Sequence, residues 1–528
     1  MPGVNRKQSV TELLLSAYNR STDHEASYDG YKRMSYRELW KDSQVLAAAL
    51  SELGIQKGDR VAVCLPNWNE YVVIYMAVSN LGAILVPIYH GLSTDEFTYI
   101  LNHSNAKAIF ITNEFNGVDI LERLMSTWKD VPSLQSFISV RCELAEMHSY
   151  QDLVKQISGG VDFTPVPINP ADDVYTILYT PGSTGTLNGV MLTHSNVVSI
   201  AVASAEKMDC RPNDVFLVAV PAFHVFGMIP TIISTIAVGA RMVLMEEYKP
   251  KAALELMESE QVTIKNGYPT MFISELNLYE FPNYDLSALR TGIITGATCP
   301  VEVVKRIRKE MGCEIVVAYG MSETSQILTM TSFPDDDMTR AETVGRPLPG
   351  TEIAILNSNG GEALPGELGE VACRGPGVMK GYYLMPEESG QVLGEDGWFT
   401  TGDLGVIDNR GNLRIVGRKI EVINKGGFII YPREIEEILY SNPAVLEVVI
   451  VGLPDTAIGE ISCACVKLKP NYVVEAQALI DYVKPRVADY KVPDKLIIMK
   501  EFPMTASGKI RKMFLQNQLR EALSTELG

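Results

Sequence analysis

The chain has 528 residues, more than the roughly 250–300 that one hydrophobic core can serve, so we expect at least two domains. Apolar residues make up 46% and charged residues 21% of the chain, which is typical of a globular protein and excludes collagen-like, disordered and disulfide-scaffold classes. The net charge is −18; residues 419–528 hold 14 Lys+Arg and 14 Asp+Glu, so the whole excess lies on residues 1–418. Such a surface repels phosphate backbones, which argues against a DNA or RNA binder.

The sequence has no features of a secreted or membrane-spanning protein. Residues 1–9 are polar, and apolar stretches such as residues 228–240 are broken by Pro, Ser and Thr before reaching the ~20 residues of a membrane helix. The eight cysteines are scattered, without CxxC or Cys/His zinc spacing. We therefore expect a cytoplasmic protein with reduced thiols, no zinc site and no integral membrane segment.

The first two thirds of the chain show alternating strand and helix signals. Short apolar runs at residues 61–64 and 83–86 flank a helical spacing over residues 70–81, which Gly82 ends. Further strands are predicted at residues 174–178, 215–220, 242–245, 293–295 and 315–318, with a helix over residues 301–311. Strand, helix and strand in succession predict a parallel α/β sheet.

From about Gly350 the pattern changes to short apolar segments separated by turn residues. Segments at residues 352–356, 369–373, 404–407 and 413–416 predict a small antiparallel sheet or barrel. Pro432 then opens a predicted helix over residues 433–440, followed by a strand at 445–451 and a helix at 476–483. We predict an α/β protein: residues 1–418 form a large domain of α/β subdomains with a small β-barrel-like subdomain, and residues 419–528 form a small, mobile α+β domain.

One glycine-rich segment has the composition of a phosphate-binding loop. Residues 179–190 read Tyr-Thr-Pro-Gly-Ser-Thr-Gly-Thr-Leu-Asn-Gly-Val and follow a predicted strand. Glycines let backbone N–H groups converge on an anion, and hydroxyls add further donors. No Gly-Lys-Ser/Thr follows, so this is not a Walker A loop. Taken alone, the segment is equally typical of a flexible surface loop.

Three further segments carry polar groups suited to a nucleotide. Residues 318–324 (Ala-Tyr-Gly-Met-Ser-Glu-Thr) offer an aromatic face and a carboxylate for a hard cation such as Mg²⁺. Residues 398–403 end in Thr-Gly-Asp after a predicted Gly turn, which suits ribose hydroxyls. Residues 503–511 place a lysine after a Ser-Gly turn, where an ammonium can stabilise charge on a reacting carboxylate and phosphate. Each one alone is more often an ordinary turn with a solvated side chain.

The order and spacing of these four segments resemble the ANL superfamily of adenylating enzymes, which includes acyl- and aryl-CoA synthetases, peptide-synthetase adenylation domains and firefly luciferase. The resemblance runs from about Met34 to about Leu515. The family's Tyr-Thr-Ser-Gly-Thr-Thr-Gly-x-Pro-Lys-Gly-Val aligns with residues 179–190 and its Tyr-Gly-Met-Thr-Glu with residues 319–323. Its Thr-Gly-Asp aligns with residues 401–403, and its Pro-x-Thr-x-Ser-Gly-Lys-Ile with residues 503–510.

The resemblance implies a role for each matching position. Lys509 would bridge the carboxylate and the α-phosphate during adenylation, and Glu323 would act in catalysis and hold Mg²⁺. His224 would lie beside the acyl pocket. A swing of the C-terminal domain about residues 418–421 would bring the coenzyme A segment Lys425, Gly426 and Gly427 to a thiol tunnel. The ATP- and AMP-binding residues implied are Thr180, Gly182, Ser183, Thr184, Gly185, Gly296, Ala297, Thr298, Tyr319, Gly320, Ser322, Asp403 and Arg418.

The chain departs from the family pattern at four places. Pro181, Leu187 and Asn188 stand where the family has Ser, Pro and Lys, so one backbone N–H and one cation are missing from the loop. Ile420 stands at a hinge position usually held by Lys or Asp, with Lys419 beside it. Either the hinge register shifts by one residue or the hinge is apolar. Because Lys509, Glu323, Asp403 and Arg418 are retained, we expect an active enzyme.

These features predict an ATP-dependent, AMP-forming acid–thiol ligase: an acyl-CoA synthetase using ATP, Mg²⁺ and coenzyme A. A medium- or long-chain fatty acid is the first expectation for the acid, and an aryl or cyclic acid the second. One alternative is a stand-alone adenylating enzyme that loads a carrier protein with an aryl or acyl group. Another is a nucleotide-binding pseudo-enzyme, motivated by Pro181 and Asn188. The oligomeric state is left open between monomer and homodimer.

Overall fold

The structure is a computed structural model that describes residues 6–144, 147–156, 163–181, 187–297, 299–455, 458–470, 472–504 and 510–526. Several helices begin where the sequence supplies a cap: Ser9, Ser35 and Ser93 each form a capping box with a glutamate three residues on. The α-helices are α1 Val10–Ser21, α2 Tyr36–Glu52, α3 Asn69–Leu81, α4 Thr94–His103, α5 Ile120–Thr127, α6 Tyr150–Gln156, α7 His194–Lys207, α8 Val225–Gly227, α9 Ser234–Val238, α10 Pro250–Ser259, α11 Pro269–Leu276, α12 Val301–Glu310, α13 Asp337–Glu342, α14 Pro386–Val392, α15 Pro432–Tyr440, α16 Ala476–Val483 and α17 Lys512–Glu526.

The strands are short and rich in β-branched residues, as expected for buried sheets. They are β1 Glu25–Tyr28, β2 Arg33–Ser35, β3 Arg60–Cys64, β4 Ile84–Pro87, β5 Ala106–Ile111, β6 Glu114–Phe115, β7 Val118–Asp119, β8 Ser136–Ser139, β9 His148–Ser149, β10 Val174–Pro181, β11 Leu187–Thr193, β12 Val215–Val218, β13 Arg241–Leu244, β14 Ile264–Lys265, β15 Thr291–Ile294, β16 Glu314–Tyr319, β17 Thr329–Met330, β18 Arg346–Pro347, β19 Glu352–Leu356, β20 Gly369–Arg374, β21 Gly381–Tyr382, β22 Phe399–Ile407, β23 Leu413–Arg418, β24 Ile423–Lys425, β25 Phe428–Ile430, β26 Val445–Asp455, β27 Gly459–Leu468 and β28 Lys495–Ile498.

Two large sheets form the N-terminal part of the molecule. The first has nine strands in the order β18-β17-β16-β15-β14-β12-β13-β1-β2, and the run from β16 to β1 is parallel. The second has eight strands in the order β21-β11-β10-β4-β3-β5-β8-β9, with β10 and β11 as an antiparallel hairpin near one end. Because the carboxyl ends of parallel strands meet at one edge, the loops after β12, β14, β15 and β16 lie together.

Two smaller sheets follow. Strands β19, β20, β22 and β23 form an open antiparallel sheet. The turn spacing predicted a small sheet or a barrel, and the structure has the sheet. The last part of the chain forms a sheet in the order β25-β24-β27-β26, with β28 added to β27. Its two buried apolar clusters use only residues after Arg418. The predicted mixed α/β architecture with a small α+β C-terminal part is confirmed, while the boundary between residues 418 and 419 stays a prediction.

The predicted elements occur with shifted ends. Strand β22 is longer than expected, because residues 399–403 also pair with β20 and β23 and the buried Phe399 faces Cys373. The Thr-Gly-Asp segment therefore lies within a strand, and Gly402, at φ +73°, forms an irregularity there instead of a separate turn. None of the helices in the described ranges has both the length and the hydropathy needed to cross a bilayer.

Candidate nucleotide and substrate site

Two of the segments predicted from the sequence lie together at the carboxyl edge of the nine-stranded sheet. Gly296 and Ala297 follow β15, and Tyr319 and Gly320 lie at the end of β16, its parallel neighbour. Gly296 has φ +89°, which glycine adopts without strain. Thr298 lies outside the described residues. The structure thus places the two segments expected to enclose adenine on adjacent strands.

Tyr319, Asp403 and Arg418 form one polar cluster. The Tyr319 hydroxyl donates to Asp403 Oδ2 at 2.6 Å, and Arg418 Nε lies 3.2 Å from Asp403 Oδ1. Asp403 and Arg418 are cross-strand partners in β22 and β23. Burial, and then the Asp403 carboxylate, raises the pKa of Tyr319 well above its ordinary value, which keeps its hydroxyl a donor. Asp403 is thereby held with both oxygens oriented.

Gly320 cannot carry a side chain. A Cβ there would lie 2.0 Å from the backbone oxygen of Gln326. Ser325 and Gln326 hold left-handed backbone angles of φ +55° and +81°, so the chain folds back on itself just after Glu323. Strain of this kind in non-glycine residues is typical of sites whose geometry the surroundings over-determine.

Glu323 lies in a short turn, Ser322–Thr324, that begins two residues after Gly320. The Tyr382 hydroxyl donates to Glu323 Oε1 at 3.1 Å, and the Asn188 side chain hydrogen-bonds to the same hydroxyl. Burial raises the pKa of Glu323, and hydrogen bonds from its own backbone and from Tyr382 oppose that rise. Glu323, Tyr382 and Asn188 thus connect the edge of one large sheet to the β10–β11 hairpin of the other, which carries the predicted phosphate loop.

A single oxygen ligand of this kind fits Mg²⁺, which usually takes one or two carboxylates and otherwise binds water and substrate phosphates. Within the described ranges, no group of three or more His, Cys, Asp or Glu side chains could hold a metal ion. The role of Glu323 as the protein contact for Mg²⁺ stays a prediction, with the remaining ligands expected from the nucleotide and water.

The glycine-rich segment is carried on the β10–β11 hairpin. Thr180 pairs with Asn188 and Pro181 with Leu187, and Tyr179 contacts His103 Nδ1 through its hydroxyl at 2.9 Å. Among the described residues, Pro181 and Leu187 are the last pair on either side of the loop. The remaining phosphate-loop candidates lie outside the described residues: Gly182, Ser183, Thr184 and Gly185.

A cavity of about 570 Å³ lies at the carboxyl edge of the nine-stranded sheet. Its wall includes the apolar side chains Leu65, Phe115, Phe223, Met245 and Ile273 and, from the C-terminal part, Leu446. This volume is within the usual range of about 300–1,000 Å³ for small-molecule pockets.

His224 is not among the described side chains that line the cavity, although its neighbour Phe223 is. Its Nδ1 accepts from the Phe226 N–H at 3.1 Å and lies 3.2 Å from the hydroxyl of Tyr268, which does line the cavity. His224 therefore caps α8 and supports the cavity wall, and its placement beside an acyl pocket stays a prediction.

Two family models match this chain. The model described as AMP-binding enzyme covers residues 15–383, and that of the AMP-binding enzyme C-terminal domain covers residues 434–509. The chain belongs to the AMP-binding enzyme family. The predicted membership of the ANL superfamily, and with it the prediction of an ATP-dependent, AMP-forming ligase, is confirmed.

Individual relatives agree with this assignment. This AMP-binding enzyme is 37% identical over 508 residues to YngI of Bacillus subtilis (strain 168), which carries the name of an acyl-CoA synthetase, with 93% of this chain and 92% of that protein covered. It is 32% identical to the medium-chain fatty-acid–CoA ligase of Escherichia coli (strain K12), with coverages of 96% and 88%. The solved structure of ATP-bound MatB from Rhodopseudomonas palustris superposes with a TM-score of 0.88 at 26% identity, covering 98% of this chain and 100% of that one.

The C-terminal part of the AMP-binding enzyme presents the segment predicted to approach the thiol. Gly426 and Gly427, at φ +61° and +89°, form the tight turn between β24 and β25. Lys425 Nζ lies 2.5 Å from Asp494 Oδ1, so the charge of this lysine is already paired. Phe428 stacks on Tyr490 with ring centroids 4.8 Å apart. Lys509, the predicted catalytic lysine, lies outside the described residues.

The predicted hinge is a short turn, Lys419–Glu421, between the small antiparallel sheet and the C-terminal sheet. The Ile420 side chain is 70% exposed, while Lys419 Nζ lies 2.9 Å from Glu370 Oε2 and Glu421 pairs with Lys512. An isoleucine that contacts mainly solvent would oppose rotation little, and the hinge itself stays a prediction.

Sequence reasoning missed Tyr382 and the hydrogen bonding of Asn188. Tyr382 lies in Gly-Tyr-Tyr after β20, and nothing in that local pattern indicates that its hydroxyl reaches Glu323, 59 residues earlier. The sequence shows Asn188 only as a position where the family's lysine is absent. In the structure its amide also takes part in the hydrogen bonding of Tyr382. Sequence reasoning also missed Tyr248, which lines the cavity.

Proposed function

We propose that this chain is an acyl-CoA synthetase that activates a medium- or long-chain fatty acid. The carboxylate of the acid would attack the α-phosphate of ATP to give an acyl-adenylate and pyrophosphate. The thiol of coenzyme A would then take the acyl group and release AMP and a proton. The observation that carries the proposal is the Tyr319–Asp403–Arg418 cluster, set beside Glu323 at the carboxyl edge of a parallel sheet.

Each part of the cluster has a role in the first step. The two Asp403 oxygens are oriented to accept hydrogen bonds from ribose hydroxyls, while Tyr319, with Gly296, Ala297 and Thr298, would enclose adenine. Ser322 and Gly320 follow at the position of the α-phosphate. Bound Mg²⁺ would neutralise charge on the phosphate oxygens, with Glu323 as its protein ligand. The outer phosphates would lie in the loop that contains Thr180, Gly182, Ser183, Thr184 and Gly185.

Lys509 would stabilise the charge shared by the attacking carboxylate and the α-phosphate. A swing about residues 418–421 would then withdraw it and bring Lys425, Gly426 and Gly427 toward the thiol. The exposed hinge supports this exchange, since few contacts would have to break at Ile420.

The nature of the acid is supported by the cavity beside His224 and by one relative. The cavity wall is largely apolar, and burying a methylene group there contributes about 0.8 kcal/mol. A relative with 32% identity over nearly the whole chain is named a medium-chain fatty-acid–CoA ligase. An aryl or cyclic acid is the second expectation.

The test is pyrophosphate release from Mg²⁺-ATP on a panel of short- to long-chain, aryl and cyclic acids, with and without coenzyme A. We expect turnover to need a fatty acid and coenzyme A together, and to fall at least ~100-fold in Lys509→Ala. Lys500→Ala, at an exposed lysine nine residues earlier in the sequence, is the matched control and should stay near wild type.

Other outcomes would replace the proposal. If pyrophosphate release were the same with and without coenzyme A but rose with a phosphopantetheinylated carrier protein, this would be a carrier-loading enzyme. Nucleotide binding without release on any acid would make it a pseudo-enzyme. The cytoplasmic location stays a prediction, as does the choice between monomer and homodimer, which light scattering on the purified protein decides.

A further inference from the structure

A fully buried ion pair lies behind the wall of the cavity. Lys265 on β14 and Glu275 on α11 are both 0% exposed, and Nζ lies 2.5 Å from Oε2. The Lys265 ammonium also lies 3.6 Å from the centroid of the Phe272 ring. Burying two charges costs several kcal/mol each before their attraction is counted, so the pair must be well satisfied to persist.

Tyr248 connects the ion pair to the wall of the cavity. The Tyr248 hydroxyl lies 3.0 Å from Glu275 Oε1, 2.9 Å from Ser274 Oγ and 2.9 Å from the backbone oxygen of Met271. Tyr248 and Ser274 both line the cavity, whereas Glu275 lies behind them. A buried polar cluster therefore lies at the wall of the cavity, whose lining also includes the charged side chains of Glu246, Glu247, Glu447 and Lys467.

The directions in which the Tyr248 and Ser274 hydroxyls donate their protons decide what this polar cluster can bind. Tyr248 has one proton, and the Glu275 carboxylate is its strongest acceptor, since bonds to ionised groups are the stronger ones. Ser274 also has one proton, which can go to the backbone oxygen of Met271 at 2.8 Å or to the Tyr248 oxygen at 2.9 Å. Burial, and then Glu275, raises the pKa of Tyr248, so the phenol remains neutral. What remains on the Tyr248 oxygen is acceptor capacity.

We propose that Tyr248, held in place by Lys265 and Glu275, accepts a hydrogen bond from an N–H or O–H group on a flexible, otherwise apolar chain bound in the cavity. The proposal rests on the proposed function, because an acyl-CoA synthetase has two substrates that contain such a chain. One is the pantetheine arm of coenzyme A, which carries two amide N–H groups. The other is an acyl chain that bears a hydroxyl. Both present the same chemistry to Tyr248: a hydrogen-bond donor within a run of methylenes.

Tyr248→Phe removes the acceptor and keeps the ring. A net hydrogen bond corresponds to about 3- to 10-fold in affinity, so we expect KM to rise by that factor for the substrate that supplies the donor, with kcat within about twofold. A rise in KM for coenzyme A alone assigns the pantetheine arm. A rise for a hydroxylated fatty acid, but not for its unsubstituted parent, assigns the acyl chain.

Two controls separate binding from damage to the fold. Tyr279→Phe removes a hydroxyl from a side chain that is 95% exposed and should change nothing. The melting temperature of Tyr248→Phe, compared with that of wild type, is the second control. If Tyr248→Phe melts at the wild-type temperature and leaves KM for coenzyme A and for both acids unchanged, the proposal is wrong.

Failure of the proposed function would look different. In that case wild type would release no pyrophosphate with any acid. Calorimetric binding of coenzyme A and of the hydroxylated acid to wild type and Tyr248→Phe would still decide the role of Tyr248. A weaker affinity in the variant for either ligand supports it, and equal affinities for both overturn it.

Discussion

The Tyr319 hydroxyl and Asp403 Oδ2 lie 2.6 Å apart and join two sheets that are separate in hydrogen bonding. Tyr319 ends β16 of the nine-stranded sheet, and Asp403 lies in β22 of the small antiparallel sheet. The contact orients a buried carboxylate at the edge where a nucleotide is expected. It therefore couples the position of the small sheet to the shape of the proposed ribose site.

Tyr319→Phe should raise KM for ATP by about tenfold, and Asp403→Asn by more, because hydrogen bonds to a charged group are worth about 1.5–3 kcal/mol. Steady-state pyrophosphate release at varied ATP measures both. Asp396→Asn, an exposed aspartate just before the same strand, is the matched control. An unchanged KM for ATP in Asp403→Asn would show that ribose is held elsewhere.

Tyr382→Phe should raise the Mg²⁺ concentration needed for half-maximal activity about three- to tenfold, because the variant leaves Glu323 without the hydroxyl that orients it. A Mg²⁺ titration of ATP binding, followed by calorimetry, should shift by the same factor. Tyr383→Phe is the neighbouring control, since that ring packs against His103, away from Glu323. Equal Mg²⁺ midpoints in the two variants would mean that Tyr382 only packs.

Local patterns predicted most of the fold, because glycine and proline mark the ends of its strands and helices. Helix α3 ends where Gly82 adopts φ +67°, and α15 begins at Pro432, both as expected from the sequence. The ends of β22 were misplaced, because its first half reads locally as a turn and is a strand only through pairing with β20 and β23.

The candidate site was predictable where one segment carries the chemistry. Tyr319, Glu323 and Asp403 stand in short motifs, and the structure brings Tyr319 and Asp403 into contact. Partners from distant segments could not be read in the same way. The bonds from Tyr382 to Glu323 and from Lys265 to Glu275 depend on how the sheets and α11 pack, and a lone tyrosine or lysine gives no sign of them.

Lys265→Met should lower the free energy of unfolding by about 3–5 kcal/mol, because it leaves Glu275 buried without its cation. Lys265→Met combined with Glu275→Leu should recover most of that loss, since a buried pair replaced by apolar side chains of similar volume is often neutral. Urea unfolding of wild type, the single variant and the double variant measures the difference. A double variant no more stable than the single would show that the pair is not coupled.

His194 should make the protein sensitive to acid. Its side chain is fully buried at the start of α7, Nδ1 accepts from the Val10 N–H at 3.3 Å, and Nε2 has no hydrogen-bond partner among the described residues. Burial lowers its pKa to about 3, against 6.5 when exposed. The unfolded chain therefore binds the proton more readily, and stability is lost as the pH falls from about 6.5 toward 3.

Between pH 7.5 and pH 5.0 that loss from His194 amounts to about 2 kcal/mol, since each pKa unit corresponds to about 1.4 kcal/mol. His194→Gln should lose correspondingly less stability than wild type over that interval in urea unfolding at the two pH values. His24→Gln, at an exposed histidine, should keep the wild-type dependence. If His194→Gln and wild type lose the same stability on acidification, His194 is not the group that takes up the proton.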